Sequence, residues 1–270
     1  MKTATYLYCL VHADRVPSLA EVSAGPSGMK PPRALDAGQS LWLIAADAPL
    51  SRYGEAPIEK GLKDLDWVSA CATGHERVIE HFAGESGGGL RLDGARARAV
   101  VPMKLFTLFS SDERALAYVR KNRKQLNDTI RRVAGCREWG VRISLNRARA
   151  AETARAGAGA KIRKTSKGTQ FLLLKKKEKD LIQELRENAA MESAKSYQEL
   201  ARHGKDACRL PIVQGDSGTS VVLDAAFLIP ALKESRFQAA VEKLSARLAK
   251  TFDVALSGPW PPYNFIGKNI

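Results

Sequence analysis

The chain has 270 residues, of which 44% are apolar and 27% are charged, and its formal net charge is +14. This composition excludes a disordered protein and supplies enough apolar side chains for two domains with cores of their own. The longest apolar runs are much shorter than the roughly 20 residues that cross a bilayer, so we expect no membrane-spanning segment.

The first half of the chain predicts an α+β domain over residues 1–134. β-Branched and aromatic residues indicate three strands, at 5–11, at 40–47 and in the later part of 97–109. The first strand lies in the N-terminal stretch MKTATYLYCLVHAD. This stretch lacks a small-residue cleavage site, so we interpret it as a strand and not as a signal peptide.

Two helices are predicted in the same domain. The first begins near Pro57 and has an apolar residue at every third or fourth position, which predicts one continuous helix with a single buried stripe. The stripe consists of Ile58, Leu62, Leu65, Val68, Ala72, His75, Ile79 and Phe82. Ser110 and Glu113 have the spacing of a capping box and predict the start of the second helix, which Gly135 ends.

The second half predicts another α+β domain over residues 135–270, with the order strand, helix, strand, strand, helix, strand. The strands are predicted at 136–145, 209–214, 219–230 and 252–258, and the helices at about 169–202 and after a capping box of Ser235 and Gln238. This is the order of the ferredoxin-like fold. The predicted fold class is therefore α+β with two domains, the second a modified ferredoxin-like antiparallel sheet with helices on one face.

Most of the positive charge lies between Arg142 and Lys179, a segment that contains twelve Lys or Arg residues and two Glu residues. The segment includes a basic loop at 146–168, and a candidate basic patch consists of Lys161, Arg163, Lys164, Lys167, Lys175, Lys176 and Lys177. A charge run of this kind attracts nucleic acid, acidic proteins or anionic surfaces, or it keeps a solvated loop soluble. Both interpretations stay open from the sequence.

Motifs that carry chemistry are incomplete. GDSG at 215–218 resembles a serine-protease nucleophile turn but lacks the histidine motif of those enzymes, so a hairpin turn explains it. KGTQFLLL at 167–174 resembles a strand motif of RNA-recognition modules without the stacking aromatics. GAGAK at 157–161 and GESGGG at 84–89 do not have the spacing or context of nucleotide-binding loops. We therefore expect no catalytic residues and no cofactor.

Metal sites and disulfides are not indicated either. His75 and His81 are too far apart to share a helix face as ligands, so we expect His75 to be buried with a hydrogen-bond partner. Cys9, Cys71, Cys136 and Cys208 are widely separated, which fits free thiols in a reducing cytoplasm.

The chain ends with DVALSGPWPPYNFIGKNI, in which three prolines surround a tryptophan. Proline cannot continue a central strand, so the tail 258–270 must leave the sheet on an extended path. Its rigid side chains pack either against this protein's own domain or against a second molecule. The candidate partner-binding residues are Trp260, Pro261, Pro262, Tyr263 and Phe265.

This ending, in order after three other stretches, resembles the F/L family of gas vesicle proteins. The other stretches are YLYCLV, LKDLDWVSACATGHERVIEHF and CREWGVRISL, with LDAAFLIP before the ending itself. Cys9 stands where the family usually has glycine. Leu105 departs from the family's pattern, whereas Lys104, Phe106 and Thr107 keep its character.

The resemblance implies a cytoplasmic accessory or minor structural protein of gas vesicles, with two α+β domains and no enzymatic activity. Such a protein assists assembly by binding the small, hydrophobic main shell protein, and other gas vesicle accessory proteins are further expected partners. The alternative function is a basic nucleic-acid-binding module that uses the 142–179 segment. Neither function requires a membrane or a cofactor.

Overall fold

The structure is a computed structural model, and the residues described are 2–86, 97–146, 148–150, 152, 167–212 and 219–267. The chain forms two compact units, one of residues 1–138 with 259–270 and the other of residues 139–258. The division predicted from the sequence ran between residues 134 and 135 and kept the tail in the second domain. In the structure the tail belongs to the first unit.

The first unit contains a five-stranded antiparallel sheet. Its strands are β1 (Thr3–Ala13), β2 (Arg33–Asp36), β3 (Leu41–Pro49), β4 (Ala97–Pro102) and β5 (Leu108–Phe109). Their order is β2-β3-β1-β4, and β5 pairs with the start of β1. The sequence predicted the long strands, but it missed β2, which is too short to display an alternating pattern.

Five helices belong to this unit in the described part of the chain. They are α1 (Leu50–Tyr53), α2 (Glu55–Gly61), α3 (Leu65–Ser86), α4 (Asp112–Lys121) and α5 (Arg123–Val133). The prediction of one helix from Pro57 to Phe82 is wrong, because the Asp64 side chain accepts the backbone N–H groups of Asp66 and Trp67 at 3.0 and 3.2 Å and so caps a new helix.

The break changes which residues are buried. Leu62 and Leu65, predicted on the buried stripe, are 54% and 81% exposed. Ala72, also predicted on the stripe, is exposed, and Cys71 is buried in its place. His75, Ile79 and Phe82 are buried as expected. The break therefore leaves an apolar corner in solvent at the start of α3.

The second predicted helix of this unit is also divided. Ser111, and not Ser110, caps α4, because its hydroxyl oxygen accepts the backbone N–H of Arg114 at 3.4 Å. The Asn122 side chain donates to the Tyr118 carbonyl at 2.9 Å and thereby satisfies a group at the end of α4. Asn122 separates α4 from α5.

A bulge in β1 changes which of its residues point toward α3. The pairing with β3 shifts between Leu7 and Cys9, and such a shift exchanges which positions point to each face. Tyr6 before the bulge and Val11 after it therefore pack in the same cluster as α3. The buried side chains of α4 and α5 lie on the other side, where α4 contacts β1 and α5 contacts β4.

The second unit has the ferredoxin-like arrangement. Its elements are β6 (Cys136–Asn146), α6 (Lys167–Ala201), β7 (Asp206–Arg209), β8 (Thr219–Pro230), α7 (Glu234–Leu248) and β9 (Phe252–Trp260). The strand order is β7-β8-β6-β9, and β7 and β8 are antiparallel. This is the order that the split βαβ fold requires, so the predicted fold class is confirmed.

Both long helices of this unit cover one face of its sheet. Alternate residues of β6 and β8, such as Val141 and Phe227, are buried with side chains of both helices, including Leu200 of α6 and Phe237 of α7. On the opposite face, Arg142 forms an ion pair with Asp224 at 2.7 Å. Residues of one parity therefore form the core under the helices, whereas the other parity includes this ion pair as well as the buried Ala226 and Leu228.

Two boundaries in the second unit differ from the sequence prediction. β7 ends at Arg209, whereas the prediction began there, because the following Pro211 cannot donate to a ladder. α7 follows a 3₁₀ turn at Ala231–Lys233 and starts at Glu234, so Ser235 lies inside the helix and does not cap it.

The described helices include none that is both long and apolar enough to span a membrane. No disulfide joins the four cysteines, all of which lie in the described ranges, and Cys9, Cys71 and Cys136 are buried. The three buried cysteines therefore act here as small core residues.

We predict that Gly74→Ala destabilises the first unit by about 1–3 kcal/mol, because a Cβ there would lie 2.9 Å from the backbone nitrogen of Pro26. Gly84→Ala, in the same helix, meets no atom within 4 Å. The control should gain up to about 1 kcal/mol from helix propensity. Urea denaturation of both variants measures the contrast, and equal effects would show that the packing at Gly74 is loose.

Candidate functional site

The C-terminal segment, residues 259–267, is the first candidate site. It begins inside β9, which continues to Trp260 and so runs two residues beyond the predicted end at residue 258, because proline is tolerated in an edge strand. Gly258, within this strand, has a φ of 113°, a conformation that only glycine adopts easily. Pro261 and Pro262 are buried, and Tyr263–Phe265 form a 3₁₀ turn. The buried prolines and the turn that follow β9 thus belong to the first unit.

Two carboxylates of the first unit accept hydrogen bonds from this segment. The Tyr263 hydroxyl donates a hydrogen bond to Glu76 Oε2. The backbone and side-chain nitrogens of Asn264 both donate to the Glu138 carboxylate, at 2.8 and 2.6 Å. Phe265 is buried, and its carbonyl accepts from Arg132 at 3.4 Å.

Burial changes the pKa values of the two carboxyl groups that bind the C-terminal segment. It raises the pKa of Glu76, which the hydrogen bond from Tyr263 partly offsets and the nearby charge of Glu80 increases. Burial likewise raises the pKa of Glu138, against the two hydrogen bonds from Asn264. In the described part of the chain, Glu76 Oε1 has no hydrogen-bond partner. Water therefore does not fully solvate these two carboxyl groups, which disfavours their charged forms.

Next to Glu76 in sequence, His75 belongs to a chain of buried hydrogen bonds. His75 Nε2 is 3.0 Å from the Met103 carbonyl, which can only accept, so Nε2 carries the proton. Nδ1 then accepts from the Tyr6 hydroxyl at 2.8 Å. Burial lowers the pKa of His75 to about 4, so the ring is neutral at neutral pH. The expectation of a buried, hydrogen-bonded His75 is confirmed.

The second candidate site is the α2–α3 corner, formed by Gly61, Leu62, Leu65 and Trp67. The Trp67 ring lies so close to Gly61 that a Cβ there would be 2.5 Å from it. On its other side Trp67 stacks with Phe106, with ring centroids 5.3 Å apart. The Trp67 ring is therefore held in place two residues along the chain from the exposed Leu65. The sequence analysis missed this surface, although Asp64 inside an apolar stripe was the available signal of a helix start.

Phe106 reaches this stack with strained backbone. Its φ of 63° lies in the left-handed region, which a bulky side chain rarely adopts. The neighbouring Thr107 hydroxyl donates to the Lys104 carbonyl at 2.7 Å, and the Phe106 N–H points to the Tyr6 hydroxyl at 3.4 Å. These contacts hold the turn that presents Phe106 to Trp67.

The structure brings four of the five predicted partner-binding residues into the protein itself. Pro261, Pro262 and Phe265 are buried, and Tyr263 is half-buried against Glu76. Trp260 is 42% exposed. Of this set, Trp260 is therefore the side chain that a partner could reach, and its role in binding stays a prediction.

The predicted basic patch falls largely outside the described residues, which exclude Lys161, Arg163 and Lys164. Lys167, Lys175, Lys176 and Lys177 lie on the backbone of α6. KGTQFLLL is therefore part of a helix and not a strand of the RNA-recognition type. GDSG, GAGAK and residues 87–89 of GESGGG also lie outside the described residues. Within the described ranges, no cluster of three His, Cys, Asp or Glu could hold a metal ion.

A family model described as gas vesicle synthesis protein GvpL/GvpF matches residues 4–267. The chain belongs to this family. Gas vesicle protein L of Streptomyces sp. (strain CB03234) is 26% identical over 247 residues, which are 89% of this chain and 85% of that protein. The family resemblance inferred from the sequence is thus confirmed, and it covers both units and the C-terminal segment.

Solved structures of family members share the fold. The crystal structure of GvpF from Anabaena sp. PCC7120 matches with a TM-score of 0.68 and 16% identity, covering 98% of this chain and 96% of that one. GvpF from Microcystis aeruginosa matches with a TM-score of 0.66 and 14% identity, covering 98% and 99%. At these identities the similarity concerns the fold alone.

We predict that Phe265→Ala lowers the free energy of unfolding by about 3–5 kcal/mol, because it empties a buried aromatic site under the C-terminal segment. Leu65→Ala, at an exposed position of the same unit, should change it by less than about 0.5 kcal/mol. Urea unfolding measures both. Similar small losses would indicate that the segment does not dock in solution.

We predict that Glu76→Gln gains stability relative to the wild type as the pH rises above the ordinary glutamate pKa of 4.5. The folded protein holds the Glu76 proton more tightly than the unfolded chain, so wild-type stability falls as pH rises through the folded-state pKa. Glutamine lacks this proton and the associated loss. Unfolding free energies between about pH 4 and 8 test the effect, and a constant difference would contradict it.

Proposed function

We propose that this chain is an accessory or minor structural protein of gas vesicles that assists shell assembly by binding the main shell protein. The observation that carries this proposal is the family match over residues 4–267. The proposal includes a cytoplasmic location at the gas vesicle, and other accessory proteins as further partners. It assigns the protein a binding role without turnover of a substrate.

An apolar partner fits the α2–α3 corner. Leu62 and Leu65 are exposed large apolar side chains three positions apart, and the nearby Trp67 is packed against Phe106. Such a patch on a protein surface is a candidate interaction site. A hydrophobic shell subunit would cover both leucines on binding, and each buried leucine contributes about 1.5–3 kcal/mol.

A firm surface makes this binding efficient. Little conformational entropy is lost when the contacting side chains are already held in place. Trp67 is held between Phe106 and Tyr53, with centroid distances of 5.3 and 6.3 Å. Binding at the α2–α3 corner therefore costs little conformational entropy at Trp67. Trp260 offers a second aromatic contact, of the kind enriched at interface hot spots.

The test is a pull-down of the main shell protein with the wild type and two variants. Leu62→Asp/Leu65→Asp should weaken binding about tenfold or more, because the change places carboxylates in the apolar contact. Leu232→Asp is the matched control, since Leu232 is fully exposed in the second unit. The control should bind like the wild type.

Two results would contradict the proposal at different levels. If the wild type does not bind the main shell protein, the assembly function itself is wrong. If the corner variant binds as well as the Leu232 control, the function can stand but the assigned surface is wrong. Circular dichroism of each variant confirms that the fold is retained.

A further inference from the structure

A polar groove on the first unit is not used by the function proposed above. It runs along the start of α5, holds about 430 Å³, and is closed on one side by Gly267 of the C-terminal segment. Gly267 lies so close to α5 that a Cβ there would be 3.3 Å from the Gln125 side chain. Docking of the segment therefore completes the groove, which we call the α4–α5 groove.

The groove is cationic. Lys121, Lys124 and Arg132 line it together with a single acid, Asp128. Asp128 lies 3.6 Å from Arg131 and is partly neutralised by it. Neither lysine forms an ion pair with any residue in the described ranges, which leaves two solvated ammonium groups facing one cleft.

Helix stability explains two of these charges, because Lys121 lies in the last turn of α4 and Arg132 in the last turn of α5, but it does not explain Lys124. Cations favour the C-terminal end of a helix and disfavour the N-terminal end, where the macrodipole is positive. Arg123 and Lys124 nevertheless occupy the first turn of α5, which contains no acidic residue. Arg123 is accounted for, because its guanidinium donates to the carbonyls of Ala37 and Gly38. Lys124 has no such structural role.

The lining also limits the occupant. Polar side chains surround the groove. An apolar surface would remove water from them without offering hydrogen bonds in exchange. An aromatic side chain, on which a nucleic acid base could stack, is absent from the described lining. Nucleic acid affinity also depends on many phosphate contacts along a track, whereas this groove offers three cations. Carboxylates of a protein segment match its charge and its size.

We propose that the α4–α5 groove binds an acidic polypeptide segment, whose Asp and Glu carboxylates pair with Lys121, Lys124 and Arg132. The partner that carries this segment binds at a different surface from the α2–α3 corner. The groove also depends on the docked C-terminal segment, since Arg132 donates to the Phe265 carbonyl and Gly267 forms one wall. Partner binding and segment docking are therefore coupled.

The test is fluorescence anisotropy with a labelled peptide of about eight glutamates, a glutamine peptide of equal length and a single-stranded oligonucleotide of equal charge. The full chain should bind the glutamate peptide, more weakly as salt rises, and should bind the glutamine peptide at least about tenfold more weakly. Tighter binding of the oligonucleotide than of the glutamate peptide would overturn the proposal in favour of a nucleic-acid surface.

Variants locate the binding. Lys121→Glu/Lys124→Glu should weaken the glutamate peptide by about tenfold or more, and Lys121→Gln/Lys124→Gln by an intermediate factor. The control Lys243→Glu/Lys250→Glu makes the same change of charge at exposed lysines of the second unit. An equal loss in the control, or wild-type binding by the glutamine variant, would overturn the proposal. Loss of peptide binding with shell-protein binding retained separates this groove from the assembly function.

Discussion

Buried carboxyl groups require partners, and in this protein the partners of two of them come from the end of the chain. Glu138 is nearly inaccessible to water, and the two hydrogen bonds that it accepts both come from Asn264. Glu76 has its hydrogen bond from Tyr263. Without the C-terminal segment, these acceptors would lose their bonds in a setting where an unpaired acceptor is costly. The first unit is thus completed by residues that follow the second unit in sequence.

The prolines of the ending serve this docking. Each fixes φ and reduces the number of conformations that the free segment can adopt, so less entropy is lost when it is seated. Gly258 supplies the one backbone conformation that proline and the other residues cannot. Trp260 remains partly exposed at the start of the segment. The stretch that stops β9 is therefore mainly an internal structural element, with one aromatic side chain left toward solvent.

The first unit presents two surfaces of opposite chemistry. Helices cover both faces of its sheet. The surface accessible to a partner is therefore the outer side of these helices. The α2–α3 corner exposes two leucines close in sequence to a packed tryptophan, whereas the α4–α5 groove exposes lysines among polar side chains. Apolar contact and charge pairing select different partners. The two proposed binding surfaces therefore consist of different residues of one unit.

The sequence by itself determined the fold class, the order of the second unit's elements, the burial of His75 and the family, because periodicity and the quoted motifs are local or collinear properties. It could not determine that Leu62 and Leu65 are exposed, since the stripe continues across the break that Asp64 creates. It also could not place the ending, because Tyr263 and Glu76 are 187 residues apart in the chain. Only the tertiary structure decided these points, since burial and pairing depend on which distant segments meet.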